Sequence, residues 1–169
     1  VNFYHNDKYE SSHCSFSLLK SREKMEEGFI LLNSDLILSM SHFQMLTRSR
    51  HENVICAKKA ELPASDLQKI RTDSQNRVLD WKLKLDHFNG EVMGPLKVGS
   101  DAANIILTYC EKLSENEIRK LPCFTLFSLL IRQIHFFVEY VEDYQWCEID
   151  TVEDLEQYQE KLNQNNFQY

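Results

Sequence analysis

The sequence has no C-x-x-C pair: Cys14, Cys56, Cys110, Cys123 and Cys147 lie scattered and are odd in number. That excludes a cysteine zinc site and a disulfide framework, and the thiols read as free in a reducing cytoplasm. Basic residues are in deficit, 19 Lys and Arg against 26 Asp and Glu, for a formal net charge of -7. Duplex nucleic acid and anionic membrane both select a basic patch, so neither is expected as a partner, whereas nucleotide phosphates can still be held through a metal. No apolar run is long enough to span a bilayer, and no signal peptide, internal repeat, linker or second domain is visible, so the expectation is a soluble cytoplasmic protein. The chain opens on Val1 rather than Met, which reads as something other than a natural start.

What is present fits one globular domain over residues 1–169. At 43% hydrophobic and 11% aromatic, a chain of this length buries roughly two-thirds of the surface its unfolded form exposes. Val1 to Tyr4 reads as a short strand, and Ser15 to Lys24 carries Phe16, Leu18 and Leu19 on a helical pattern. Phe29 to Leu32 is an unalternating apolar run, suited to a strand covered on both faces and ended by Asp35. Ser39 to Arg50 reads as a surface helix with cations at its end, and Asn53 to Lys58 as another strand. Leu67 to Thr72 and Arg77 to Leu85 alternate with period two about an Asp73–Asn76 turn, which predicts an antiparallel hairpin. Glu91 to Val98 follows, with Gly94-Pro95 placing it at an edge or at the end of its pairing. Ser100 is a candidate helix cap, Glu115 to Ile131 reads as helices broken at Pro122, and Phe136 to Val141 as a strand. Gln157 to Tyr169 reads as a polar, frayed tail. The order strand, helix, strand predicts an α/β, three-layer Rossmann-like domain with a mixed, mostly parallel sheet and an inserted antiparallel hairpin.

Two aspartates carry the functional reading. Trp146 to Ile149 predicts a short buried strand, followed by a helix that Thr151 caps and that Glu153 and Asp154 suit as acidic first-turn residues. Asp150 then stands at a strand's carboxyl end, where open α/β sheets bind ligands, and Asp35 stands likewise after Phe29–Leu32. Either aspartate alone is about as well explained as a capping or turn residue.

The pair Gly28-Phe29-Ile30-Leu31-Leu32-Asn33-Ser34-Asp35 and Trp146-Cys147-Glu148-Ile149-Asp150-Thr151-Val152-Glu153-Asp154-Leu155 resembles motifs of the sugar-phosphate and choline-phosphate nucleotidyltransferases, of the nucleotide-diphospho-sugar transferase fold. Asn2, Tyr9 and Ser17-Leu18 resemble the asparagine, tyrosine and serine-leucine pattern of that family, and Gly90-Glu91-Val92-Met93-Gly94 its Gly-Glu-x-x-Gly strand. The resemblance runs over nearly the whole chain in the family's order, strongest to the cytidylyltransferase branch. It implies transfer of a nucleoside monophosphate, CMP preferred, from a nucleoside triphosphate to a phosphorylated or phosphonylated small molecule or sugar phosphate, with release of pyrophosphate.

The resemblance also implies Mg²⁺ held by Asp35 and Asp150, since a phosphate oxygen must approach an α-phosphorus ringed by negative oxygens and hard carboxylate ligands suit that ion. Glu148 alternates with Asp150 and is either a further ligand or a salt-bridge residue. A lysine near the α-phosphate is implied on the hairpin, at Lys82 or Lys84; both also read as solvated residues of a polar strand face.

The chain departs from the family in having only thirty-two residues before Asn33, too few for the glycine-rich, Arg- and Lys-bearing loop that cradles the triphosphate, and in Gly94-Pro95. It therefore reads as lacking the N-terminal nucleotide-binding strand and loop. The competing reading is a non-catalytic nucleotide- or partner-binding module of the same fold. Trp81, Trp146, Tyr140 and Tyr144 read as core residues before an aromatic box for a quaternary ammonium. Asp7, His13 and Ser11 lack the strand-turn-helix context of a hydrolytic nucleophile.

Overall fold

The computed structural model describes residues 1–60, 67–141 and 146–163. A turn of 3₁₀ helix at Tyr9–Ser11 leads into α1 (Cys14–Lys20) and α2 (Arg22–Met25), then β1 (Phe29–Leu31), β2 (Leu36–Leu38), α3 (Met40–Arg48) and β3 (Val54–Lys59). β4 (Lys69–Thr72), β5 (Val78–Lys82) and β6 (Gly90–Val98) precede three helices, α4 (Ser100–Cys110), α5 (Glu115–Arg119) and α6 (Cys123–Leu130). β7 (Phe137–Tyr140), β8 (Trp146–Glu148) and α7 (Val152–Asn163) complete the order.

The main sheet is mixed, in the order β5-β4-β6-β3-β7, with β1 on β6. β6 runs antiparallel to β1, β3 and β4, and β3 runs parallel to β7. β1, β3, β4 and β7 therefore all point one way, against β6 and β5. Along β6, β3 takes one edge, while β4 pairs with Gly90–Glu91 and β1 with Leu96–Val98. The layers follow from side-chain alternation on β3. Ile55 and Ala57 join the large core with Ala103 and Ile106 of α4 and Phe127 of α6, whereas Val54 and Cys56 meet Leu46 of α3 on the other face. Trp81 packs against Phe127 and Phe136 with ring centroids 6.1 and 6.0 Å away.

The predicted hairpin forms about Asp73–Asn76, with Asn76 in the left-handed region at φ 61. Asp73 Oδ1 accepts from the Gln75 and Arg77 amides and closes the turn. Pro122 stands at the start of α6, so the predicted break holds, and Ser114 and Glu117 form a reciprocal capping box on α5.

Several expectations are corrected. Val1–Tyr4 forms no strand; Tyr4 is instead tied by its hydroxyl to Glu23. Ser100 is the first residue of α4, which no side chain caps; Gly99 holds the cap position and its amide donates to Asn53 Oδ1. Gln157–Asn163 continues α7 rather than fraying, while the rest of that tail lies outside the described residues. Pro95 sits inside β6, which is central. The sheet tolerates it because the β3 register jumps between Ile55↔Leu96 and Ala57↔Val92, and Met93, Gly94 and Pro95 have no ladder partner among the described residues. A bulge removes the need for the amide that proline lacks.

The largest difference concerns the two aspartate-bearing segments. Asp35 does not simply end a strand: Leu36–Leu38 resumes as β2 and pairs antiparallel with β8 in a separate two-stranded sheet. Trp146–Glu148 is therefore a half-buried strand of that small sheet, not a buried strand of the main one. The expected strand closes at Asp35 and leaves Leu36–Leu38 unassigned, because three successive apolar residues show no strand alternation.

Candidate functional site

Three carboxylates meet where the small sheet ends. In the β2–β8 ladder Leu36 is opposite Glu148, so Asp35 and Ile149 face each other just beyond it, and the Ile149 amide donates to the Asp35 carbonyl at 2.9 Å. Asp150 follows, its backbone amide directed to Asp154 Oδ2 at 3.2 Å. Asp154 also accepts from the Thr151 amide and hydroxyl, while Thr151 Oγ1 accepts from the Asp154 amide at 3.1 Å. This reciprocal cap fixes the first turn of α7 and with it the approach of Asp150. One carboxylate oxygen from each of Asp35, Glu148 and Asp150 lies within 4.8 Å of the other two.

The electrostatics of this cluster are one-sided. Burial pushes the Glu148 carboxyl above the ordinary carboxylate value, and the charges of Asp150, Asp35 and Asp154 push it the same way. No ion-pair partner of Glu148 exists among the described residues, so the salt-bridge alternative for it finds no cation there. Asp35 Oδ1 is buried without a hydrogen-bond partner among the described residues. An all-oxygen set with an unsatisfied buried acceptor and mutual repulsion is the donor chemistry that a hard divalent cation satisfies.

The three acids open into a cavity of about 1070 Å³ between the small sheet, β6, β5 and the N-terminal ends of α1 and α6. Gly94 forms part of its wall at φ +101, where an added Cβ would come within 2.7 Å of Leu36 Cδ1. The Trp146 indole N–H donates to the Met93 carbonyl at 2.9 Å, which ties the small sheet to the bulge of β6. Trp81 also lines the cavity, and its indole N–H is buried with no partner among the described residues. Of the four aromatics considered for a cationic box, Trp81 and Trp146 reach the cavity wall, Tyr140 does not, and Tyr144 lies outside the described residues.

Lys82 and Lys84 are exposed and do not line the cavity; strand alternation turns Trp81 and Leu83 toward it instead. The lysine in the wall is Lys58, on β3. Glu91, 1% exposed, holds Lys58 at 3.8 Å and the buried Lys69 at 2.9 Å. Sequence reasoning noted Glu91 as part of a motif but missed both lysines, because no spacing in the chain announces a pairing between β3, β4 and β6. Ser17 and Leu18 line the cavity, with Ser17 Oγ receiving the buried Asn6 amide at 2.9 Å. Asn2 and Tyr9 are exposed and stand apart from the cavity wall, and Asp7 pairs with Lys20 rather than with His13 or Ser11.

No protein-family model and no curated protein sequence matches the chain. Solved structures do. CTP:phosphocholine cytidylyltransferase from Streptococcus pneumoniae superposes with a TM-score of 0.73 at 18% identity, over 93% of this chain and 67% of that one. The inositol-1-phosphate CTP transferase from T. maritima gives 0.72 at 17% identity, over 95% and 64%. A Bacillus anthracis protein described as a glucose-1-phosphate thymidylyltransferase gives 0.67 at 10% identity, over 88% and 60%. The chain thus has the nucleotide-diphospho-sugar transferase fold, and spans about two-thirds of the length of these structures.

Proposed function

We propose that this chain is the metal- and acceptor-binding part of a Mg²⁺-dependent nucleotidyltransferase. In this reading a nucleoside monophosphate, CMP preferred, passes from a nucleoside triphosphate to a phosphorylated or phosphonylated small molecule, and pyrophosphate leaves. The observation that carries the reading is the convergence of Asp35, Glu148 and Asp150 in the wall of the cavity. The likeness in fold to two cytidylyl-transferring enzymes supports it and favours cytidine.

Asp35 and Asp150 are the proposed ligands of the cation, with Glu148 as a third. Bound there, the cation would screen the charge on the reacting phosphates and hold them in line. The protein's own share is positional. Thr151 and Asp154 fix the backbone on which Asp150 stands, and the Ile149–Asp35 hydrogen bond sets the spacing of the two carrier strands. Lys58, anchored by Glu91, places a cation in the same cavity and would take a phosphate oxygen. Leu31, Met93, Trp81 and Phe127 give the cavity an apolar stretch of wall beside the acids' polar one.

The test is pyrophosphate release from CTP with phosphocholine, and with other phosphorylated acceptors, in Mg²⁺. Turnover that disappears in Asp35→Asn and Asp150→Asn supports the proposal. Nucleotide binding without turnover, indifferent to Mg²⁺, would instead establish a binding module of this fold.

A further inference from the structure

A second reactive feature, made of other residues than the three acids, lines the same cavity. Cys14 opens α1 and Cys123 opens α6, 109 positions apart in sequence, and the Cys123 amide donates to Cys14 Sγ at 3.1 Å. The two differ in access: Cys14 is exposed, whereas Cys123 is 6% exposed. They differ in acidity as well. Donation from the Cys123 thiol and amide, with the neighbouring His13 charge adding to it, draws the Cys14 thiol down to about 6, while the same pairing and burial push Cys123 up. Burial holds Cys110 up at about 11, and burial with the nearby Glu139 charge holds Cys56 up at about 12. An accessible thiolate beside a second, shielded thiol is the arrangement of an attacking and a resolving cysteine.

The geometry points to Cys14 and Cys123 as an oxidant-reactive pair that takes a hydroperoxide and closes to a disulfide between α1 and α6. The Cys14 thiolate attacks one peroxide oxygen, the O–O bond breaks, and the departing oxygen takes a proton and leaves as water or alcohol. Cys14 is then a sulfenic acid. The Cys123 sulfur attacks the Cys14 sulfur, the S–O bond breaks, and the hydroxide leaves as water with the proton of Cys123. Two thiols have together lost two electrons and two protons, and the peroxide has gained them. Ser17 and Leu18 of α1 and Phe124 and Phe127 of α6 line the cavity with the two sulfurs, so the link would pin two of its walls together. This chemistry is independent of nucleotidyl transfer and uses none of the three acids.

The experiment treats the folded chain with stoichiometric hydrogen peroxide, quenches with an alkylating reagent, and reads intact mass and peptide map. The expected product is a monomer about 2 Da lighter with Cys14 joined to Cys123, formed at least about tenfold faster than any change at Cys56 or Cys110. In Cys123→Ser, Cys14 should stop at a sulfenic acid that dimedone traps; in Cys14→Ser, neither product should form at that dose. Oxidation first at another cysteine, an intermolecular dimer as the main product, or a Cys14 no more reactive than Cys110 overturns the inference. If Cys123→Ser does not fold, the map of the unsubstituted chain still decides it.

Discussion

The backbone N–H of Ile149 donates to the carbonyl oxygen of Asp35 at 2.9 Å, one step beyond the Leu36–Glu148 pair of the β2–β8 ladder. Two acids over a hundred residues apart are thus set by the Ile149–Asp35 backbone hydrogen bond together with the Thr151–Asp154 cap. Substituting either one should remove chemistry without removing structure. Asp35→Asn and Asp150→Asn should each lower turnover by at least ~100-fold, since losses of that size follow even from residues behind a metal's direct ligands, while circular dichroism and melting stay close to the parent.

Glu148 gives the pH dependence. Its carboxyl is held above the value of 4.5 that it has when unperturbed, by burial first and then by Asp150, Asp35 and Asp154. A carboxyl raised in the folded state stabilises the fold below its unfolded value and loses that contribution as pH rises through the folded one. In metal-free buffer, Glu148→Gln should therefore melt higher than the parent at pH 7, with the gap closing as pH falls toward 4.5. Saturating Mg²⁺ should reverse the order at pH 7. Thermal melts of both proteins across pH, with and without the ion, check this.

Gly94 has a backbone requirement as well as a spatial one, at φ +101 with Leu36 Cδ1 2.7 Å from where a Cβ would stand. Gly94→Ala should cost about 1–3 kcal/mol in urea unfolding and loosen the acid site through Leu36. Trp146→Phe probes the same junction from the other side. It keeps an aromatic ring, smaller than the indole, but leaves the Met93 carbonyl without that donor, a cost of about 1–3 kcal/mol.

Glu91 pairs with buried Lys69 at 2.9 Å and with Lys58 at 3.8 Å at once. Glu91→Ala removes the buried carboxylate that holds Lys69 at 2.9 Å and should destabilise the chain by about 3–5 kcal/mol, read by urea denaturation. Glu91→Gln, which keeps the shape, should destabilise less and still weaken any phosphate-bearing ligand that depends on Lys58.

Much of the fold was legible in local pattern. The hairpin about Asp73–Asn76, the break at Pro122 and the Thr151 cap each rest on signals contained within a few residues, and each is present. The resemblance drew Asp35 and Asp150 together as candidates, and the structure sets them side by side. What escaped depends on pairing at long range. β2 lies beyond the Asp35 that closed the expected strand, Pro95 looked incompatible with a central strand until the bulge was visible, and Lys58 needed Glu91 across the sheet to give it a place. The Cys14–Cys123 contact escaped for the same reason: helix ends that meet in space leave no trace in spacing.

The most direct test of the central claim is a calorimetric titration of Mg²⁺, with Mn²⁺ as a second probe, into the chain and into Asp35→Asn and Asp150→Asn. With Asp35 and Asp150 as ligands, the parent should show one site per chain and both variants should lose it, with folding intact. Absence of a site in the parent, or equal binding in all three proteins, would contradict it.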